Sequence, residues 1–116
     1  MTLSQNNFIK LAFEKAKVNL GSTKKNPSVG CVVEKNGSII SSGSTSINGR
    51  PHAEFNALNK NIDFKNSNLY VTLEPCSHYG KTPPCTNLIK IKKIKKIFFP
   101  TFDEDLRKKK KSLKLL

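Results

Sequence analysis

Val29-Gly30-Cys31-Val32-Val33-Glu34-Lys35-Asn36-Gly37-Ser38-Ile39-Ile40-Ser41-Ser42-Gly43 is the stretch on which the fold turns. The apolar, β-rich run 29–33 predicts a strand, and Asn36-Gly37 is the dipeptide that a two-residue hairpin turn prefers. A second strand is therefore expected over 38–43. Upstream, Asn26-Pro27 breaks an earlier pattern in which Phe8, Leu11, Ala12, Lys15, Ala16 and Leu20 recur at helical spacing, with Gly21 where such a helix would stop. Downstream, the polar residues 44–51 form a loop that delivers His52 to the start of a second helix running through about Asn59. A third strand is expected over 69–73, a third helix over 85–92 and a fourth strand over 96–99. The order is α-β-β-α-β-α-β. Strands joined through helices imply a partly parallel sheet covered on both faces, while the hairpin adds one antiparallel pair, which makes an α/β/α layer.

The chain of 116 residues suits one domain with a real core. Its apolar fraction of 36% is low, yet Val, Ile, Leu and Phe cluster periodically, which favours a folded chain over a disordered one. The formal charge of +13 is lopsided: from Lys81 onward twelve Lys or Arg face three acids, and the run Arg107-Lys108-Lys109-Lys110-Lys111 reads as a solvated or frayed end. Three cysteines cannot all pair within the chain, and neither a cleavable leader nor a membrane-length apolar stretch is visible. A cytoplasmic protein with reduced thiols and no membrane partner is the expectation, which leaves metal binding or catalysis as the use for cysteine.

His52 and Glu54 stand two apart at a helix start, Cys76 follows a strand, and Cys85 opens the next helix. Strand-to-helix crossings can bring these ends to one edge of the sheet, where ligands bind in open α/β sheets. One imidazole and two thiolates suit Zn²⁺, and three protein ligands leave a fourth position for water, which zinc acidifies to near neutral pH. Glu54 is then the group free to move protons. His-x-Glu with Pro-Cys-x-x-Cys is the pattern of zinc nucleobase deaminases. Here residues 77–84 separate the two cysteines in place of two residues.

That longer segment, Leu73-Glu74-Pro75-Cys76-Ser77-His78-Tyr79-Gly80-Lys81-Thr82-Pro83-Pro84-Cys85, together with Asn26-Pro27-Ser28-Val29-Gly30 and Pro51-His52-Ala53-Glu54, closely resembles the deaminase domain of the riboflavin-biosynthesis deaminase/reductase family. The resemblance runs from about residue 5 to residue 100. It implies a three-layer α/β/α cytidine-deaminase-like fold with a mixed sheet. It also implies a hydrolase acting on the C–N bond of a cyclic amidine, with 2,5-diamino-6-ribosylamino-4(3H)-pyrimidinone 5′-phosphate as substrate and ammonia released. Carried over by position, it implies zinc on His52, Cys76 and Cys85, proton transfer by Glu54, and substrate contacts from Asn26, His78 and Lys81. A lysine on that loop suits a phosphate, and an asparagine amide can pair with a ring amide edge. Two departures stand out. Members often place a histidine seven residues before the zinc histidine, where this sequence has Thr45, so a phosphate or ribose contact is expected to be weaker. The family also continues past an Asp-Pro-rich loop into a further helix and strand and often a reductase domain, whereas Asp103-Glu104-Asp105 is followed here by lysines.

The expected organisation is a zinc deaminase domain over residues 1–102 and a basic tail over 103–116, with no reductase domain and a separate reductase as partner. A sheet ending at strand four would expose an edge that a last strand ordinarily covers, which points to a homo-oligomer. Two alternatives stand beside this reading: a deaminase of another base or nucleotide, and a basic nucleic-acid-binding module with structural zinc. A structural site would normally have four protein ligands, and Cys31, inside an apolar strand, reads instead as a small buried hydrophobe. Phe98, Phe99 and Phe102 read as core or core edge, not as a base-stacking platform.

Overall fold

The computed structural model describes residues 2–73, 85–101 and 112–115. Cys76, His78, Lys81, Phe102 and the run 107–111 lie outside the described residues. The elements are α1 (Leu3–Ala16), β1 (Gly30–Lys35), β2 (Ser38–Ser44), a 3-10 turn (Ile47–Gly49), α2 (Ala53–Leu58), β3 (Asn68–Val71), α3 (Cys85–Ile91), β4 (Lys96–Thr101) and β5 (Ser112–Leu115). The sheet order is β2-β1-β3-β4-β5. Among these neighbours only β3 and β4 are parallel; β1–β2, β1–β3 and β4–β5 run antiparallel. The expected mixed sheet is thus present.

The hairpin closes as its turn residues dictate. Lys35 pairs with Ser38, and Asn36 and Gly37 both take positive φ, at 54° and 86°. That is the backbone of a type I′ turn, whose twist matches that of the strands.

Alternation along the strands builds the three layers. Cys31 and Val33 of β1, Leu69 and Val71 of β3, and Ile97 and Phe99 of β4 pack with Ala53, Ala57 and Leu58 of α2 and Ile89 of α3 in one buried cluster. The intervening residues Val32, Tyr70 and Phe98 face the other way and pack with Phe8 and Ile9 of α1. Phe98 and Phe99 are therefore core, and Cys31 is fully buried, as expected. Gly43 sets how closely α2 approaches the sheet: a Cβ there would run into the carbonyl of Ala53 and lie 2.7 Å from the Ala57 nitrogen.

The first helix differs from its expected span. It begins at Leu3 behind a capping box in which Gln5 N donates to Thr2 Oγ1 at 3.1 Å and Thr2 N donates to Gln5 Oε1 at 2.9 Å. It ends at Ala16, short of Gly21, because the chain then tightens into turns in which Leu20 N donates to Lys17 O. Leu20 consequently lies outside the helix and is 70% exposed, while Ala12 is the buried anchor of the stripe.

The far edge also differs. Residues 112–115, grouped with the basic tail on sequence, pair with β4 in the register Phe98 to Leu115 through Thr101 to Ser112. The β4 edge that pointed to a homo-oligomer is thus occupied from within the chain. No helix among the described residues is long and apolar enough to cross a membrane.

Candidate metal and proton-transfer site

The segment leading to His52 is held by backbone carbonyls that accept from asparagine side chains. Asn56 Nδ2, from inside α2, donates to Ser44 O at 2.7 Å and also reaches Ser46 Oγ at 2.8 Å. Asn26 Nδ2 donates to Gly49 O at 2.9 Å, and Asn19 Nδ2 donates to Thr45 O at 2.9 Å. The loop closes on itself as well, since Ser46 N donates to Pro51 O at 3.1 Å. The Arg50-Pro51 peptide is cis, and His52 follows as the residue capping α2.

His52 and Cys85, 33 positions apart in sequence, meet because α2 and α3 begin beside each other over the same sheet face. Their Nδ1 and Sγ atoms are 3.6 Å apart. Two ligands of one tetrahedral zinc, at about 2.0–2.1 Å for nitrogen and about 2.3 Å for sulfur, stand about 3.6 Å from each other. The donor chemistry and the separation both fit zinc. Among the described residues no group of three His, Cys, Asp or Glu side chains could hold a metal; the third expected ligand, Cys76, lies outside them. Burial, followed by the positive charge of Arg50, holds the His52 imidazole below its usual pKa, which favours the neutral form a metal ligand needs.

Glu54 is the second residue of α2 and is 4% exposed. Burial pushes its carboxyl up to about 7, against the opposing pull of its backbone hydrogen bond. A carboxyl placed there can both accept and return a proton near neutrality. Cys31, behind it on β1, donates from Sγ to Ala53 O at 3.4 Å, and burial, reinforced by the charge of Glu54, holds its thiol well above the usual value. It is a protonated wall of the site, which agrees with its expected role.

Asn26 is brought to the same loop, half-buried, while His78 and Lys81 lie outside the described residues. Thr45 is 1% exposed, and its hydroxyl is taken up by backbone groups, accepting from Val29 N at 2.8 Å and facing Pro27 O at 3.2 Å. Asn19 and Asn56 were not singled out on sequence. An amide that binds a distant carbonyl leaves no local signature; only the density of asparagines hints at it.

The described geometry agrees with comparison to known proteins. Residues 3–101 match the family described as the cytidine and deoxycytidylate deaminase zinc-binding region. The riboflavin biosynthesis protein RibD of Aquifex aeolicus is 47% identical over 98 residues, covering 84% of this chain and 28% of that one. The diaminohydroxyphosphoribosylamino-pyrimidine deaminase of Buchnera aphidicola subsp. Acyrthosiphon pisum is 40% identical over 97 residues, covering 83% of this chain and 66% of that one. The crystal structure of a diaminohydroxyphosphoribosylaminopyrimidine deaminase/5-amino-6-(5-phosphoribosylamino)uracil reductase from Thermotoga maritima superposes with a TM-score of 0.78 at 44% identity, covering 87% of this chain and 30% of that one. The chain thus spans under a third of its RibD relatives. With the sheet, the helix starts and the His52–Cys85 pair all in place, the chain belongs to the cytidine and deoxycytidylate deaminase zinc-binding family.

Proposed function

We propose that this chain hydrolyses the 2-amino group of 2,5-diamino-6-ribosylamino-4(3H)-pyrimidinone 5′-phosphate in riboflavin biosynthesis, consuming one water and releasing one ammonia. The observation that carries the proposal is the His52–Cys85 pair at 3.6 Å with the buried carboxyl of Glu54 two residues along the same helix. The names of the Buchnera and Thermotoga relatives support the choice of substrate, and that of the Aquifex relative supports the pathway. His52, Cys76 and Cys85 would hold the zinc. When bound, zinc supplies a Lewis acid that makes water nucleophilic near neutral pH. Glu54 takes a proton from the attacking water, passes it to the ring nitrogen beside the amino-bearing carbon, and supports proton delivery to the departing nitrogen. Water's oxygen ends as the ring carbonyl, and the exocyclic nitrogen leaves as ammonia.

Asn26, His78 and Lys81 bind and orient the substrate in this reading, Lys81 at the phosphate. The protein works in the cytoplasm, and a reductase consumes its product. The basic end of the chain serves the deaminase domain, whose sheet takes in residues 112–115, and is not a nucleic-acid anchor.

Ammonia release by the purified, zinc-loaded chain tests the assignment, with the diaminopyrimidinone ribosyl phosphate, cytidine and guanine supplied in parallel. Turnover of the first substrate alone is expected. Turnover of cytidine or guanine alone would move the chain to another base. Zinc without turnover of any of them, joined to salt-dependent RNA binding, would replace the enzyme with a structural-zinc module.

A further inference from the structure

Thr45 stands apart from the other residues of its loop because both its backbone and its side chain bond to the segment that carries Asn26. Its backbone N–H donates to Val29 O at 2.9 Å, and its Oγ1 accepts from Val29 N at 2.8 Å. The same hydroxyl has Pro27 O at 3.2 Å and Val29 O at 3.4 Å as acceptors for its proton. The contacts extend the β1–β2 pairing beyond its last rung, Gly30 with Ser44. Asn26 then completes a bridge back to the loop through Nδ2 to Gly49 O at 2.9 Å, and Thr23 Oγ1 donates to Asn26 O at 2.7 Å. On the other side, Asn19 Nδ2 caps the Thr45 carbonyl at 2.9 Å. With one amide hydrogen committed to Gly49, the Asn26 amide is fixed in orientation, and a fixed amide discriminates donors from acceptors on a ligand better than a rotating one.

We propose that Thr45 is a positioning residue for substrate recognition: its buried hydroxyl locks residues 26–29 against the loop 44–51 and so sets the orientation in which Asn26 meets the ligand. The role rests on the substrate reading of Asn26 given above. Thr45 makes no ligand contact of its own, being 1% exposed. A threonine at this position thus serves the site from behind.

Thr45→Val keeps the shape and removes the hydroxyl, Thr45→Ser keeps the hydroxyl, and Asn19→Ala loosens the Thr45 carbonyl from the half-buried side. Thr45→Val is expected to raise KM for the diaminopyrimidinone ribosyl phosphate about tenfold with kcat and zinc content near wild type. Asn19→Ala should raise KM by about threefold, and Thr45→Ser should restore it. If Thr45 acts through Asn26, Thr45→Val adds nothing to the KM of Asn26→Ala. Additive effects, or a lowered Tm with unchanged KM in both Thr45→Val and Asn19→Ala, would overturn the proposal. The Asn26 side-chain amide in NMR reads the same lock without turnover. Its resonances should be slow to exchange in the wild type and fast in Thr45→Val, and equal exchange in the two would contradict the role even if the wild type proved to act on another base.

Discussion

The two faces of the sheet are built differently. The α2/α3 face buries a continuous cluster that runs from Val29 and Cys31 through Leu69 and Ile97 to Phe99, and its two helices begin with His52 and Cys85 at the same end. The α1 face rests on Val32 and an aromatic stack: Phe98 lies on Tyr70 with centroids 4.8 Å apart at 8°, and Phe8 tilts against Tyr70 at 5.2 Å. Its helix buries Ala12 alone, whereas α2 buries Ala53, Glu54, Ala57 and Leu58. The contrast shows why the chemistry sits where it does. Ligating side chains need rigid supports, and α2 and α3 gain them by burying Ala53, Ala57, Leu58 and Ile89 in one cluster with the sheet, with Gly43 permitting α2 to lie directly on β2.

The contrast can be broken most severely at the helix starts. Cys85→Ser, on the α2/α3 face, is expected to weaken zinc binding at least about 100-fold, measured by metal content after dialysis against a chelator. Wild-type zinc content in that variant would remove Cys85 from the metal site. Next in size is a pair of truncations compared by denaturant unfolding. Phe99→Ala, at a side chain with 0% exposure, should cost about 3–5 kcal/mol. Phe8→Ala, at the half-buried edge of the stack, should cost about 1–2 kcal/mol and leave zinc content unchanged. Equal costs would mean that the two faces are equivalent after all.

The smallest effect concerns pH. Burial, helped by the charge of Glu34, pushes the Tyr70 phenol up to about 12 from an ordinary value of 10.0. The folded chain therefore keeps a proton that the unfolded chain releases. That contribution is full below pH 10, and it is lost as pH rises toward 12. Tyr70→Phe should show a shallower decline of stability across this window than the wild type, and parallel curves would contradict it.

Much of the α2/α3 face could be read from residues alone, since its signals are local. Asn36-Gly37 dictated the hairpin, and His52, Glu54 and Cys85 announced helix starts by their chemistry. The α1 face was less legible. The Thr2-x-x-Gln5 box marks the true start, but the periodic Leu20 suggested a longer helix than the turns after Ala16 allow. The antiparallel pairing of β1 with β3 depends on contacts across 40 positions, such as Cys31 with Val71, and no local pattern encodes it. Ser112-Leu113-Lys114-Leu115 has the period of a strand, but the lysine run before it made an exposed end the simpler reading. Thr45 drew notice as a departure from a family pattern, and only the fold showed its hydroxyl facing inward, onto Val29 and Pro27.

The central claim is that Glu54 moves the proton in a zinc-dependent deamination, and ammonia release by Glu54→Gln beside the wild type, with zinc content measured on both, tests it most directly. The change preserves the shape of the side chain and removes its ability to carry a proton. Turnover should fall by about 10²–10⁴-fold with zinc content unchanged. Turnover equal to the wild type at equal zinc content would contradict the account.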